Sequence, residues 1–315
     1  MKDATIVYAD IAKNVFEVLF AKRRGRGESR QTMNRRQFEG LAERLPSGSS
    51  IYIEACGSMH YWGRVFQRKG HKVYAIAPQH VRPYRQGQKS DCNDAVAIRE
   101  ASKREGQRFV AIKTTGEQDV QLLLRVRERL VQQRTQVVNQ ARGFLLEYGV
   151  VIPVGIHHVR RLSSLLEAHR DKATHALVEV IELIQRELLD LEERIKSCDR
   201  KIGVVARLNP VAKKVQQVCG VGPITAASIV AKGYKKNEFK NGREFSAALG
   251  LVPSHTGSGG KVKIGHITKC GDRTIRSLLV QGAHCALQHC KKKQDSTSLW
   301  ARSLMERKGR KLAAV

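Results

Sequence analysis

The sequence predicts three structural parts in series: a mixed α/β domain, a long antiparallel helical hairpin, and a mainly helical domain. Three observations lead there. The first third alternates strand-like and helix-like runs, the order that builds a mixed sheet. The middle third carries apolar residues at helical spacing over two long stretches, parted by the Gly- and Pro-bearing "YGVVIPVGIHH". The last third holds a Gly-x-Gly turn between two helical stretches. The expected boundaries are 1–112 for the α/β domain, 113–204 for the hairpin, 205–295 for the C-terminal domain and 296–315 for a basic tail.

Each element has a local reason. "ATIVYADIAKNVFEVLFA" reads as two strands joined by a tight turn at Lys13-Asn14, and "RRGRGESRQTMN" as a basic loop or strand edge. "RRQFEGLAERL" has helical spacing of Phe38, Leu41 and Leu45. "SSIYIEACG" is a short buried strand, "SMHYWGRVFQRKG" a helix stopped at Gly70, and "HKVYAIAP" a strand halted by Pro78. "VRPYRQGQK" reads as a basic loop leading into a helix that starts at "SDCNDA".

In the hairpin, Leu122, Val126, Leu130, Val137, Ala141, Phe144 and Leu145 mark the first helix, with Gly143 as its first breaker. Leu177, Val180, Ile181, Ile184, Leu188, Leu191 and Ile195 mark the second. A turn between them would give a coiled-coil pair. Arg125, Arg127, Arg129, Arg134 and Arg142 on the first helix either track a phosphate backbone or form a solvated face.

After Asn209-Pro210, "VQQVCGVGPITAASIVAKG" has the pattern of a helix-hairpin-helix, whose hairpin amides meet a DNA phosphate. Gly220 and Gly222 would permit the turn and Pro223 would open the second helix; a plain helical hairpin has the same pattern. In "LGLVPSHTGSGGKVKIGHITKCGDRTIRSLL", Gly257, Gly259 and Gly260 leave Ser258 on a flexible, exposed backbone. Lys261 and Lys263 follow, and Arg273 and Arg276 share a face of the next helix, with Asp272 as its N-cap. A serine among glycines and cations suits attack on a phosphodiester. A Gly/Ser hairpin loop with ordinary surface lysines has the same composition.

Charge narrows the partners. The 315 residues hold 57 Lys and Arg against 29 Asp and Glu, a net +28. Such an excess calls for a polyanion, and nucleic acid is the default. No long apolar run or Trp-rich amphipathic segment supports a membrane, and the N-terminus is not a signal peptide. Seven scattered cysteines without a CxxC pair point to a reducing cytosol rather than a disulfide framework. Cys285 and His289 stand one helical turn apart, but no second ligand pair accompanies them.

Against this charge, Asp91 and Asp94 stand out. At i,i+3 they share a helix face and repel unless a cation lies between them. Either they are an N-cap and a first-turn acid, or they hold a divalent metal. Asp10 in "YADIAKN" and Glu54 in "IYIEACG" could complete such a site if their strands are neighbours. Four converging carboxylates would suit Mg²⁺ and phosphoryl transfer.

"YADIAKN", "IEACG", "SDCNDA", "VCGVGPITAASIVA" and "LGLVPSHTGSGGK…GHITKCGDRTIRSLL" together resemble the DEDD transposases of bacterial insertion sequences, the recombinases guided by a bridge RNA. The resemblance spans nearly the whole chain in order. It implies a RuvC-like, RNase H-type first domain in which Asp10, Glu54, Asp91 and Asp94 hold Mg²⁺, with Mn²⁺ able to substitute. It implies that Ser258 is a nucleophile forming a covalent link to a DNA strand end, with Ser254 and Thr256 as alternatives in register. Lys261, Lys263, Arg273, Arg276, Arg125, Arg129, Gly220 and Gly222 would then contact nucleic acid. The implied partners are donor and target DNA, a structured guide RNA and further copies of the chain, as dimer or tetramer, in the bacterial cytoplasm at the nucleoid. A RuvC-like nuclease using metal-activated water would need the acids but not Ser258. A non-enzymatic scaffold would need neither.

Overall fold

The computed structural model describes residues 5–22, 27–86, 91–153, 155, 162–234, 239–258 and 261–315; of Lys22, Asp91, Cys92, Ser163, Ser258 and Val262 only the backbone is described. The chain divides into two compact units, Met1–Gln118 with Lys232–Tyr234, and Asp119–Ala231 with Lys235–Val315.

The first unit is built on a six-stranded sheet in the order β3-β2-β1-β4-β5-β6. Its strands are β1 (Thr5–Ile11), β2 (Val15–Lys22), β3 (Glu28–Asn34), β4 (Ser50–Glu54), β5 (Lys72–Ile76) and β6 (Phe109–Val110). β1 runs antiparallel to β2 and parallel to β4, which is parallel to β5. The basic stretch before residue 35 thus ends in a full strand, and β6 is a two-residue edge strand too short to leave a periodic signal.

Strand alternation gives the sheet two different faces. Val7, Ala9, Ile11, Ile51 and Ile53 point to helices α1 (Arg35–Arg44) and α2 (Met59–Arg68). There Phe16, Phe38, Trp62 and Phe66 pack edge-on and stacked, with neighbouring ring centroids 4.5–5.3 Å apart. Each such buried side chain contributes roughly 1.5–3 kcal/mol. Ile6, Tyr8 and Tyr52, one residue out of phase, face α4 (Asp91–Ser102). Ala95, Ala97 and Ala101 line the buried side of α4, and small residues let a helix lie close to a sheet. The expected basic loop before α4 starts helically: Val81 ends α3 (Pro78–Val81) and Arg82–Tyr84 form a 3₁₀ turn, whereas Arg85 and Gln86 are irregular as expected and residues 87–90 lie outside the described residues. Pro78 stops the strand and also opens this helix, as N1 proline does.

In the second unit, α5 (Thr115–Glu147) and α7 (His175–Leu208) share a core of Leu130, Val137, Ala141 and Leu145 with Leu177, Ile181, Ile184, Leu188, Leu191 and Ile195. α5 begins in the first unit with a capping box, Thr114 and Glu117 exchanging side-chain and backbone bonds. Four residues assigned to the apolar stripe, Leu122, Val126, Phe144 and Val180, are exposed instead. Gly143 does not break α5, because it lies on an open surface where no neighbour forces a turn. The join between the helices is not a simple turn: it includes α6 (Leu162–Glu167), and Val150, Ile152, Leu162 and Leu166 extend the core.

Asn209 caps the start of α8 (Pro210–Val215) through its side chain, as its backbone closes α7. Then follow α9 (Pro223–Ala231), α10 (Gly242–Ala248), the hairpin β7 (Pro253–Ser258) and β8 (Lys261–Ile267), and α11 (Arg273–His289), capped by Asp272. The basic tail is folded. α12 (Ser296–Lys308) packs Ala301 and Met305, and α13 (Arg310–Ala313) packs Ala313, into one cluster with Leu287 and Cys290. No helix among the described residues is long and apolar enough to cross a membrane.

Candidate functional site

Asp10 and Glu54 lie at the carboxyl ends of adjacent parallel strands, where ligands of α/β sheets commonly bind. The β1–β4 register runs from Ile6↔Ser50 to Ala9↔Ile53, so Asp10 and Glu54 are the next positions in line. Both share parity with Tyr8 and Tyr52 and belong to the α4 face. Asp94 lies on the buried side of α4, one turn before Ile98, and is 4% exposed. Asp91 is the first residue of α4; its side chain is outside the described residues.

One cation joins two of these acids. The Arg85 Nη2 donates to Glu54 Oε2 at 3.0 Å, and Arg85 Nε stands 2.8 Å from Asp94 Oδ1. The second contact is an ion pair whose N–H is not aimed at the oxygen, so neither atom makes a hydrogen bond although both are buried. Sequence reasoning missed Arg85, treating it as one cation among several in a basic loop. The available signal was its place, a few residues before the paired aspartates.

The charges of Asp10 and Glu54 also act on Cys56. Its sulfur donates to the Ile11 carbonyl at 3.3 Å. Cys56 is an exposed residue whose thiol is only partly covered. That partial burial, and then the negative charges of Asp10 and Glu54, push it up to about 11. The thiol therefore stays neutral and is a poor nucleophile.

The donor chemistry of this cluster, hard carboxylate oxygens with an unsatisfied buried Oδ1, fits a divalent cation such as Mg²⁺. Among the described residues, no three His, Cys, Asp or Glu side chains come close enough together to share one ion. This covers Cys285 and His289 as well. The guanidinium of Arg85 fills the gap between Glu54 and Asp94.

The second candidate centre is the β7–β8 ribbon. Ser258 is not on a free loop but is the last residue of β7, paired with Lys261; Thr256 pairs with Lys263. Opposed residues share a face of a ribbon, so these four positions form one row. Lys261 and Lys263 are exposed. Gly259 and Gly260 lie outside the described residues. The base of the ribbon is locked: a Cβ on Gly271, at φ +91°, would fall 1.9 Å from the Ala248 carbonyl, and one on Gly250, at φ +68°, 2.1 Å from that of Cys270.

The other expected contacts divide into free and engaged groups. Arg125, Arg129 and Arg273 are exposed, Arg129 leaning 3.4 Å from Gln133 Oε1. Arg276 donates to the Leu249 carbonyl at 2.8 Å and approaches that of Cys270, so it holds the ribbon base. Arg127 pairs with Asp199, and Arg142 reaches the Pro153 and Gly155 carbonyls. Gly222 is open, whereas Gly220 lies against Gly282: a Cβ on either would meet the other's carbonyl oxygen within 2.5 Å. The glycine at 220 is therefore required by packing onto α11, a need invisible without the position of Gly282.

Known proteins share this order of features. A model of DEDD transposases of the IS110 type matches residues 9–150, and one described as "Transposase IS116/IS110/IS902 family" matches residues 212–298. The transposase for insertion sequence element IS1111A of Coxiella burnetii is 38% identical over all of this chain and 86% of its own length. The chain belongs to the IS116/IS110/IS902 family of insertion-sequence transposases. A probable family 20 transposase of Pseudomonas aeruginosa is 36% identical over 97% of this chain and 91% of its own. The transposase for insertion sequence element IS1328 of Yersinia enterocolitica is 31% identical, over 98% and 91%. This transposase is thus a DNA-processing enzyme. Asp10, Glu54, Asp91 and Asp94 lie within the first matched segment and the ribbon within the second.

Proposed function

We propose that this transposase moves its insertion sequence by Mg²⁺-dependent strand cleavage and exchange through a serine–DNA ester, with sites chosen by a structured guide RNA. The observation that carries the reading is the placement of Asp10, Glu54 and Asp94 on one face of a mixed sheet, at the ends of β1 and β4 and on the helix that covers them. The parallel run of β1, β4 and β5 beside the reversed β2 supports an RNase H-like, RuvC-like fold. Asp10, Glu54, Asp91 and Asp94 would hold the metal; Mn²⁺ would substitute because its oxygen preference is similar. When bound, the metal supplies charge neutralisation at a phosphodiester and favours the alkoxide form of a leaving or attacking oxygen.

The serine row supplies the nucleophile. The Ser258 Oγ forms a bond to phosphorus as a sugar oxygen leaves, and the hydroxyl proton passes to that oxygen through solvent. One phosphoester replaces another, so the bond can be resealed on a new strand without an energy-rich cofactor. Lys261 and Lys263 offset the charge that builds on the phosphoryl oxygens. Guide-RNA pairing would leave the protein to hold backbone and shape, which suits a net charge of +28 with 5% aromatic residues. Further copies of the chain, as dimer or tetramer, would bring donor and target DNA together.

The test is cleavage of the element's end DNA, with the RNA transcribed from its flanks, in Mg²⁺, Mn²⁺ or EDTA. Cleavage should need metal and RNA, and Glu54→Gln should lower it at least about 100-fold. Full cleavage in EDTA would overturn the metal role, and RNA-independent cleavage at the correct ends would overturn guidance.

A further inference from the structure

We propose that Arg85 is the counter-cation of the acid cluster in the metal-free protein and competes with the metal for the same place. This rests on the metal reading above and goes beyond it, because it concerns what occupies the cluster before a metal arrives.

Glu54 and Asp94 are both buried, and two buried carboxylates side by side repel. Burying such charge is tolerated only when it is paired. Arg85 meets that need by spanning them, with Nη2 on Glu54 and Nε on Asp94. The pairing is imperfect: the bond to Glu54 is well made, but at Asp94 the charges touch without an aligned hydrogen bond. A guanidinium normally grips carboxylates through parallel N–H bonds. Here one fork is stretched over two acids on different elements, a strand end and a helix. A shared divalent cation would have to lie in the space that the guanidinium now fills, about 2 Å from each oxygen. Both cations cannot be there at once. Arg85 follows directly on the 3₁₀ turn Arg82–Tyr84, and its side chain is 28% exposed, so it has solvent to move into.

Three consequences follow. Without metal, Arg85 keeps Glu54 and Asp94 close. With metal, it must withdraw, so intrinsic metal affinity is lowered by the work of displacing it. Removing its charge should therefore tighten metal binding while loosening the metal-free fold, opposite effects that a merely structural arginine would not produce.

The experiment is titration of the metal-free full-length protein with Mn²⁺, following the free-ion EPR signal, for wild type, Arg85→Gln, Arg85→Lys and Asp94→Asn, with thermal melts of each. Arg85→Gln should bind Mn²⁺ at least about tenfold more tightly, since one positive charge leaves a buried site. Its melting temperature should fall without Mn²⁺ and recover at saturation. Arg85→Lys, with a single point charge that cannot span both acids, should show the same changes to a smaller degree. Affinity unchanged or weaker in folded Arg85→Gln would overturn the proposal while leaving the metal reading intact; should that variant not fold, the same outcome in Arg85→Lys would do so. Undiminished binding in Asp94→Asn would place the ion elsewhere and overturn it too. No Mn²⁺ binding by wild type or variants would overturn both the proposal and the reading beneath it.

Discussion

The two candidate centres of this transposase are built on opposite plans. In the acid cluster Glu54 and Asp94 are buried where a strand end meets a helix, and their charges are paired with Arg85. The serine ribbon is a two-stranded hairpin with exposed lysines, locked at its base by Gly250, Gly271 and Arg276. A lone hairpin gains little stability from itself. The difference teaches where preorganisation is needed. Under the proposed reading, carboxylates sharing one ion would have to be fixed before substrate arrives, whereas a nucleophile meeting a bulky duplex would have to stay accessible.

Substitutions should separate the plans. The largest effect on folding is expected for Arg85→Ala, which leaves two buried carboxylates without their counter-charge and should cost about 3–5 kcal/mol in urea unfolding. A loss under about 1 kcal/mol would mean that the pairing is not stabilising in solution. Next is Gly271→Ala. Its Cβ meets a carbonyl oxygen at 1.9 Å on a left-handed backbone, and overpacking of this kind should cost about 1–3 kcal/mol. Smaller still is Lys261→Ala on the ribbon face. Stability should change by no more than about 0.5 kcal/mol, but the slope of log affinity for DNA against log salt should fall by about 1. An unchanged slope would place Lys261 off the DNA path.

The smallest effect concerns Cys56. Its raised value means that the fold favours the neutral thiol, so its contribution is present at neutral pH and lost as pH climbs toward about 11. Alkylation of Cys56 should accelerate over that range. Asp10→Asn or Glu54→Gln should move the acceleration to lower pH, since both carboxylates oppose the thiolate. No movement in either variant would separate those acids from Cys56.

Much of this was legible in the sequence, for identifiable reasons. Short β-branched and aromatic runs, "TIVYADI" and "SIYIE", each followed by a turn signal, marked the strands, and the acids stood at their ends. What could not be read were features made by residues far apart in the chain. Arg85 looks like any cation in "VRPYRQGQK" until Glu54 and Asp94 are placed beside it. Gly220 is the turn glycine its sequence suggests, at φ +84°, but nothing local shows that Gly282 will face it. Leu122 and Val126 fit a helical stripe, yet nothing local says which of two adjacent stripes a partner helix will cover. Ser258 looked like part of a flexible loop because glycines surround it; the cross-strand ladder with Lys261 carries no local mark.

The most direct test of the central claim is the covalent intermediate. Wild type and Ser258→Ala would be run with end-labelled element DNA, flank-derived RNA and Mg²⁺ on denaturing gels, before and after protease. The account predicts a slow band in wild type that protease collapses and that Ser258→Ala lacks. Free cleaved ends without any adduct, equally strong in Ser258→Ala, would contradict it and leave the acids working with water alone.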